Sequence, residues 1–550
     1  MYSLNDHKSL ELLNLKEIRY NLRQMIHADE EKCVDNLLHA TELTIGERNR
    51  LVGSAKEYVY LSRDRSDSQG TMDYFLQEFD LSNHEGVALM CLAESLLRVP
   101  DSATADKLIS EKIAAGCWSE HKGHSESTFV NASTWGLMLT GEFVDLGADV
   151  KVNSDNWFKG FVKKAGEPLV RTAIIQAMRI MGGQYVLGRT IGEAIGRGEK
   201  ENKPGTRFSF DMLGEGARTL ADADRYFESY KSAIIEIGAK EKENTPYDAN
   251  GISVKFSALH PRYEMIQHDM VMSVMVPRVI ELAKLAKEKG LGFTIDAEEA
   301  DRLDISLDIF EILARSNELQ DWDGLGIVVQ AYQKRAPYVL DWLASLGREL
   351  KRKFMVRLVK GAYWDSEIKH AQELGLADYP VYTKKPSTDL SYQVCAERLM
   401  MARDVFYPQF ATHNAYSVAL ILELVQKWNV NAGEFEFQRL HGMGHLLYDV
   451  VKQNTDQEFN IRVYAPVGAH KDLLPYLVRR LLENGANSSF VNRFMDKGIV
   501  VDKFIQDTMK NYLALLGQVD GLREREVKKV ETRGGAALGS MAEDFLKQRD

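Results

Sequence analysis

Apolar residues recur at three- and four-residue spacing in the first part of the chain, through Ser9 to Ala28, Lys32 to Ala40, Ile45 to Arg65, Phe75 to Arg98 and Ala103 to Ala115. That period marks one buried face of an α-helix, and few alternating β-branched runs interrupt it, so the first third reads as all-α. Near residue 200 the pattern changes. Arg197-Gly-Glu-Lys-Glu-Asn-Lys-Pro204-Gly205 is polar and broken by Pro and Gly, which marks a boundary. Beyond it, short β-rich runs alternate with longer helical ones. The strands expected are Arg207 to Leu213, Gly251 to Ala258, Gly292 to Glu298, Gly324 to Ala331, Phe354 to Ala362, Gln409 to His413, Glu434 to Leu440 and Asn460 to Ala465. Helices are expected over Ala221 to Ile237, Val274 to Lys289, Ile305 to Ser316, Pro337 to Arg352, Leu390 to Arg403, Val418 to Trp428, Gly444 to Gln453 and Asp472 to Gly485.

Eight strand-helix units over about 300 residues are what a (βα)8 TIM-type barrel requires, with a doubly wound open sheet as the alternative. The fold class is therefore α/β: a (βα)8 barrel preceded by an all-α N-terminal region. The layout expected is a helical arm over 1–65, a helical domain over 66–200, the barrel over 201–520 and a C-terminal tail of unassigned role over 521–550. Gly188, Gly192 and Gly196 stand four apart, which puts them on one helix face and suggests close packing. They do not match the dinucleotide loop G-x-G-x-x-G.

Composition narrows the class. A 45% hydrophobic content in 550 residues is ample for large cores. The net charge of -11 argues against a general nucleic-acid role, since phosphate binding needs a concentrated positive face, and no nucleic-acid partner is expected. Four scattered cysteines, Cys33, Cys91, Cys117 and Cys395, form no C-x-x-C pair, so neither a disulfide framework nor a metal site is expected and a reducing cytoplasm fits. No secretory leader opens the chain, and no run reaches the ~18 apolar residues that span a membrane. Peripheral membrane contact and homo-oligomerisation stay open.

Barrel chemistry lies at the C-terminal ends of the strands. That rule selects Lys255 and His260, Asp296 and Glu298, Gln330 and Tyr332, Arg357 to Trp364, Thr412 to Asn414, Leu440 to Gly444, and Tyr464, leaving only the first strand without a contribution. Leu477-Val-Arg479-Arg480-Leu-Leu-Glu483 adds two adjacent arginines in an apolar helical run. By themselves they read as a solvated helix face with an intrahelical ion pair. Above a barrel mouth with Lys255, Arg357 and Lys360, balanced by Asp296 and Glu483, they concentrate positive charge and point to an anionic ligand.

Five ordered segments carry a resemblance: Phe208-Ser-Phe-Asp-Met-Leu-Gly-Glu215, Ile252-Ser-Val-Lys-Phe-Ser-Ala-Leu-His-Pro-Arg-Tyr263, Arg357-Leu-Val-Lys-Gly-Ala-Tyr-Trp-Asp-Ser-Glu367, Tyr464-Ala-Pro-Val-Gly468, and Leu477 to Asn487. They resemble the proline dehydrogenase domain of bacterial proline utilization A. The likeness reaches back through Phe129-Val-Asn-Ala-Ser-Thr-Trp-Gly136 and covers roughly residues 110 to 515. It implies an FAD enzyme that takes a hydride from C5 of L-proline, giving Δ1-pyrroline-5-carboxylate in the first step of proline catabolism to glutamate. A quinone is the implied electron acceptor. On this resemblance Arg479 and Arg480 hold the substrate carboxylate, with Lys255 and Glu483 alongside, and each charge-assisted bond from a cation is worth about 1.5 to 3 kcal/mol. Tyr363, Tyr464 and Leu440 wall the ring, and Asp296 orients its neighbours. The flavin contacts implied are Asp296, Ala297, Gln330, Arg357, Val359, Gly361, Ala362, Thr412, His413 and Glu483, with Lys384 and Lys385 toward the phosphates.

Two departures from the family set further expectations. The chain ends at Asp550 without an aldehyde dehydrogenase module, so a monofunctional enzyme is expected, with a separate pyrroline-5-carboxylate dehydrogenase downstream. No DNA-binding module precedes the helical region. Alternatives are a flavin dehydrogenase of another cyclic amino acid such as 4-hydroxyproline, a flavin-free barrel enzyme acting on a small anion, and a helical interaction scaffold.

Overall fold

The computed structural model describes Leu4 and residues 14–66, 185–201, 206–243, 245–468 and 499–506. Eight parallel strands close into one barrel: β1 (Thr206–Met212), β2 (Gly251–Val254), β3 (Gly292–Ile295), β4 (Leu325–Gln330), β5 (Phe354–Val359), β6 (Phe406–Ala411), β7 (Glu436–Leu440) and β8 (Asn460–Val467). The seam is the longest ladder, running from Thr206 opposite Ile461 to Met212 opposite Val467. The closed sheet rules out the doubly wound alternative, and every strand and every described barrel helix except that over Trp364–Glu373 falls where the pattern placed it, with ends shifted by a few residues. Six strands stop earlier than expected, β2, β3 and β5 by three or four residues. Ser257 and Glu298, for example, belong to loops at the mouth.

Alternation along the strands sorts two surfaces. Phe208, Phe210, Ile252, Val254, Phe293, Ile295, Val356, Leu358, Phe410 and Phe437 are all buried in the apolar core. Their neighbours Ser209, Ser253, Arg357, Gln409, Glu436, Gln438 and Arg462 meet across the barrel. A barrel interior is normally filled by branched apolar side chains; this one is largely polar, and polarity survives there because each of these side chains finds at least one partner. Toward the N-terminal end Glu436 Oε1 accepts from Gln409 Nε2 at 2.8 Å, Gln438 Nε2 at 2.8 Å and Arg462 Nε at 2.7 Å. Arg462 also donates to the Ala249 and Tyr247 carbonyls at 2.7 and 2.9 Å, closing that end.

Around the sheet lie α5 (Leu220–Lys240), α6 (His268–Glu288), α7 (Leu303–Arg315), α8 (Ala336–Leu350), α9 (Trp364–Glu373), α10 (Lys385–Met401), α11 (Ala415–Lys427) and α12 (His445–Gln453); the arm supplies α1 (Leu15–Gln24), α2 (Glu30–Ala40) and α3 (Ile45–Ser66), and α4 (Ile191–Glu201) enters β1. Helix α9 was not expected from the pattern. Its sequence, Trp-Asp-Ser-Glu-Ile-Lys-His-Ala-Gln-Glu, buries only Glu367 and Ala371, so it carries almost no apolar stripe. Within the stretch Arg197 to Gly205 expected as a boundary, α4 continues to Glu201. The glycine series divides. A Cβ on Gly192 would lie 2.5 Å from the flexible carboxylate end of Glu236 of α5, whereas Gly196 has open space. Gly188 precedes the helix and bridges to Val467 at the end of β8.

The arm packs on the outer ring of helices. Asn14 and Glu17 form a capping box that starts α1, which buries Ile18 and Leu22. From the same helix Arg23 Nε meets Asp304 Oδ1 at 2.8 Å, and Arg335 of the α8 entry meets Asp304 Oδ2 at 2.8 Å while only 2% exposed. Arg19 bonds Asp308 and lies 3.3 Å from Asp304. A second tie joins α2 to α10, where Glu397 accepts from Thr41 Oγ1 at 2.8 Å and from the Glu42 amide at 2.6 Å. Removing one partner from a buried ion cluster costs about 3–5 kcal/mol. Asp304→Ala strands Arg335 and is therefore expected to destabilise the protein by that amount, read as a lowered urea midpoint, with Arg23→Ala at the exposed edge costing much less.

Candidate active site

At the C-terminal end of the barrel five side chains from five strands converge. Lys255 follows β2, and its Nζ lies 2.8 Å from both carboxylate oxygens of Asp211 on β1. It is 3.1 Å from Tyr464 Oη on β8 and 3.4 Å from Asp296 Oδ2 after β3. Tyr464 donates to Asp296 Oδ2 at 2.7 Å, and Arg357 of β5 donates to Asp296 Oδ1 at 2.7 Å. The second Arg357 nitrogen reaches Ser209 at 3.2 Å and Ser253 at 2.9 Å. The Arg357 guanidinium also stands 5.1 Å from the centre of the Tyr464 ring, within cation–π range. All five are buried or nearly so. Burial by itself would lower the Lys255 ammonium; Asp211 first, then Tyr464 and Asp296, hold it well above the usual lysine range. Burial pushes the Tyr464 phenol well up, and the two aspartates act in the same direction, so it stays a neutral donor.

Lys255, Asp296, Arg357 and Tyr464 were selected by the strand-end rule, and the fold brings them together. Asp211, Ser209 and Ser253 were missed. The strand-end argument left the first strand empty, yet β1 supplies Asp211, the most deeply buried carboxylate of the group. One signal was available: an aspartate inside the apolar run Phe208-Ser-Phe-Asp-Met. The expectation of a positively charged mouth is also corrected among the described residues. Lys255 is paired with Asp211, Arg357 with Asp296, and Lys360 with Asp389, so these cations are balanced one for one. Arg479, Arg480 and Glu483 lie outside the described residues.

On the β4 to β7 side the mouth opens as a low rim. Gly361 and Ala362 are exposed, and Val359, Tyr363, Thr412, His413 and Leu440 are half-buried. Gly361 has φ 139°, and an added Cβ would sit 2.5 Å from the Tyr332 ring, so the chain here requires glycine. Gln330 is held by its Nε2 on the Glu298 carbonyl at 2.8 Å and accepts the Ala362 amide at 3.4 Å. His413 Nε2 accepts the Leu440 amide at 3.0 Å, and the Thr412 carbonyl accepts from Tyr448. Ala297 borders a small cleft with Asp296, Glu298, Arg302 and Gln330. Lys385 is drawn to Asp389 at 2.7 Å, and Lys384 is exposed at the start of α10.

This rim fits the polar edge of a flavin. It offers a guanidinium, a carboxamide, an imidazole, a hydroxyl and bare backbone beside an open platform, and Arg357 Nε is buried with no partner in the structure. His441, by contrast, is pushed down to about 3 by burial and then by Arg197, Arg439 and His445, so it is a neutral imidazole at ordinary pH.

The loops that carry these groups are tied to one another. Glu298 accepts the Ser257 amide at 2.9 Å, and Glu367 of α9 accepts the Ala300 amide at 2.7 Å. Burial raises both carboxyls to about 7.

A closed (βα)8 barrel with a buried Lys-Asp-Tyr-Arg constellation at its mouth defines an α/β barrel with a candidate active site there. The family model described as "Proline dehydrogenase" matches residues 194–493, more than half of the chain, and the chain belongs to that family. The "Bifunctional protein PutA" of Escherichia coli (strain K12) is 51% identical over 484 residues, covering 87% of this chain and 36% of that protein; the Klebsiella aerogenes protein of the same name is 49% identical, covering 87% and 37%. A solved structure of Proline Utilization A (PutA) from Bradyrhizobium japonicum superposes with a TM-score of 0.67 at 48% identity, covering 88% of this chain and 48% of that one. The chain thus spans a little over a third of the length of these curated relatives.

Two expectations fall. The expected single-activity enzyme is overturned by relatives that are bifunctional proteins. The expected absence of a nucleic-acid partner is overturned because residues 71–185 match a family model described as "DNA-binding domain of Proline dehydrogenase". Net charge over a whole chain averages away what one segment does, and that segment lies almost wholly outside the described residues.

The Glu367 carboxyl yields a pH test. Burial holds it at about 7 in the native state, above the ordinary glutamate value of 4.5, so the native state keeps the proton longer, and stability is lost as pH rises from about 4.5 through 7. Glu367→Gln keeps an acceptor for Ala300 without the charge. It is expected to flatten that fall and to raise stability at pH 8 by about 1–3 kcal/mol, measured by denaturant unfolding at both pH values.

Proposed function

We propose that the barrel mouth binds a flavin and oxidises L-proline to Δ1-pyrroline-5-carboxylate, with electrons passed on to a quinone. The observation that carries this reading is the buried constellation of Lys255, Asp296, Arg357 and Tyr464 within the segment matched by the proline dehydrogenase model. Proline dehydrogenases are flavin enzymes in general, and FAD is the flavin proposed here. The reaction removes a hydride equivalent from C5 and a proton from the ring nitrogen.

Bound at the rim, the flavin supplies the two-electron acceptor. Gln330, Arg357, Val359, Gly361, Ala362, Thr412 and His413 would hold it, with Asp296 and Ala297 beside them, Glu483 near the substrate, and Lys384 and Lys385 toward its phosphates. Arg357 gives a fixed positive charge to that edge of the mouth, and a fixed charge in a dry site costs no reorganisation at the moment of reaction. Lys255, with Arg479 and Arg480, would take the substrate carboxylate. Tyr464, Tyr363 and Leu440 would wall the ring and exclude water. Asp296 orients Arg357 and Tyr464, since each oxygen already accepts a short hydrogen bond from one of them.

The decisive test is spectroscopic. Purified protein should show a flavin band that bleaches when L-proline is added without oxygen; a colourless protein indifferent to proline sinks the reading. Steady-state assays should show quinones outpacing molecular oxygen as acceptors.

Specificity gives a second test. The Tyr464 hydroxyl is tied back to Asp296 and Lys255, so the ring cannot swing away to admit a substituent on C4. Tyr464→Ser is expected to raise kcat/KM for 4-hydroxyproline relative to proline by about tenfold, the scale on which one steric group discriminates. An unchanged ratio removes Tyr464 from the ring pocket.

A further inference from the structure

The cation beneath the mouth has its own counter-ion. Asp211 is wholly buried on β1, and both its oxygens lie 2.8 Å from the single Nζ of Lys255. Asp296 is the other nearby carboxylate, but its Oδ1 is taken by Arg357 at 2.7 Å and its Oδ2 by Tyr464 at 2.7 Å, leaving Lys255 at 3.4 Å. The site is thus two ion pairs side by side, one for each cation, joined through the Tyr464 hydroxyl. The groups facing Lys255 among the described residues are Asp211 from β1, Asp296 after β3, Arg357 from β5, Tyr464 from β8 and Tyr230 from α5, whose hydroxyl accepts the Lys255 amide at 3.2 Å.

A buried ammonium without a partner gives up its proton, because desolvation penalises the charged form. Here Tyr464 and Tyr230 are neutral and Arg357 is a like charge. Asp296 already balances Arg357. The charge of Lys255 therefore depends chiefly on Asp211, with Asp296 at 3.4 Å a weaker second partner.

We propose that Asp211 is a positioning residue that keeps Lys255 an ammonium and fixes its Nζ beside Tyr464, so that a charged lysine faces an anionic substrate group at the mouth. This rests on the reading of the mouth as a substrate site, while its first test does not need a substrate. The direction of the Lys255 shift, well above 10.5, agrees with it.

Competitive labelling of the holoprotein with an amine reagent over a pH series, followed by peptide mass spectrometry, reads the protonation midpoint of Lys255 separately from its accessibility, with exposed Lys369 as reference. In the unsubstituted protein the midpoint should lie above the ordinary lysine value of 10.5; a midpoint below it overturns the proposal even if no variant folds. In Asp211→Asn the labelling rate of Lys255 near pH 8 should rise by about tenfold or more, since each unit of lowered pKa gives ten times more free amine. Unchanged labelling in a variant of unaltered melting temperature overturns it.

With proline as substrate, Asp211→Asn should raise KM by about tenfold, more steeply as pH rises, with a smaller change in kcat. In a Lys255→Met background the same substitution should change KM by less than about twofold, because the pair acts as one unit. An equal factor in both backgrounds makes Asp211 merely structural. If the unsubstituted protein does not oxidise proline, the functional reading fails while the labelling result still decides the role of Asp211.

Discussion

Arg357 and Asp296 meet 2.7 Å apart inside a closed barrel, and the chemistry at the mouth depends on that contact. A guanidinium in a barrel interior is costly to desolvate, and only a well-placed carboxylate with further hydrogen bonds offsets the cost. Those bonds come from Ser209 and Ser253, small side chains that leave room for the guanidinium where most barrels place Val or Leu. With Arg357 fixed, Asp296 is fixed, and Asp296 in turn sets the hydroxyl of Tyr464. Lys255 completes the group through Asp211. The result is a charge-balanced, preorganised floor that holds the Lys255 ammonium in place at the mouth.

Polarity continues below that floor. Glu436, Gln409, Gln438 and Arg462 form a second buried network whose arginine reaches the loop carbonyls at the N-terminal end of the barrel. A polar barrel interior trades apolar burial for directional bonds, and it specifies strand register, because a one-residue slip would turn every one of these groups into the helix layer. The arm adds stability outside the barrel, with Asp304 gathering arginines from α1 and the α8 entry onto one carboxylate. Site and scaffold thus use the same device. In both, a carboxylate is saturated by donors from several elements and cannot move without disturbing all of them.

Barrel organisation was legible in the sequence because strand and helix periods differ and eight alternations are hard to produce any other way. Strand ends were less legible. An apolar run such as Gly251 to Ala258 continues past the last ladder bond, and side-chain pattern does not report where backbone pairing stops. Helix α9 had too little apolar surface to show a period, and α4 runs on to Glu201 through residues whose polarity looked like a hinge. Lys255, Asp296, Arg357 and Tyr464 could be selected by their places at strand ends. Asp211 was missed: its place inside the apolar run Phe208 to Met212 marks it as buried, but the run does not report which cation the carboxylate meets. The charge of the whole chain misled, too: an acidic total is compatible with a segment that matches a DNA-binding model.

By itself the sequence determined the alternation of elements, the barrel class, the family likeness and the side chains available at the mouth, because all of these follow from residue type and spacing along one dimension. Which charges cancel was decided only by the tertiary structure. Lys255 with Asp211, Arg357 with Asp296 and Lys360 with Asp389 join residues far apart in the chain. Closing the barrel brings them within hydrogen-bond distance, and electrostatic energy in a desolvated interior depends on that distance and not on position in the chain.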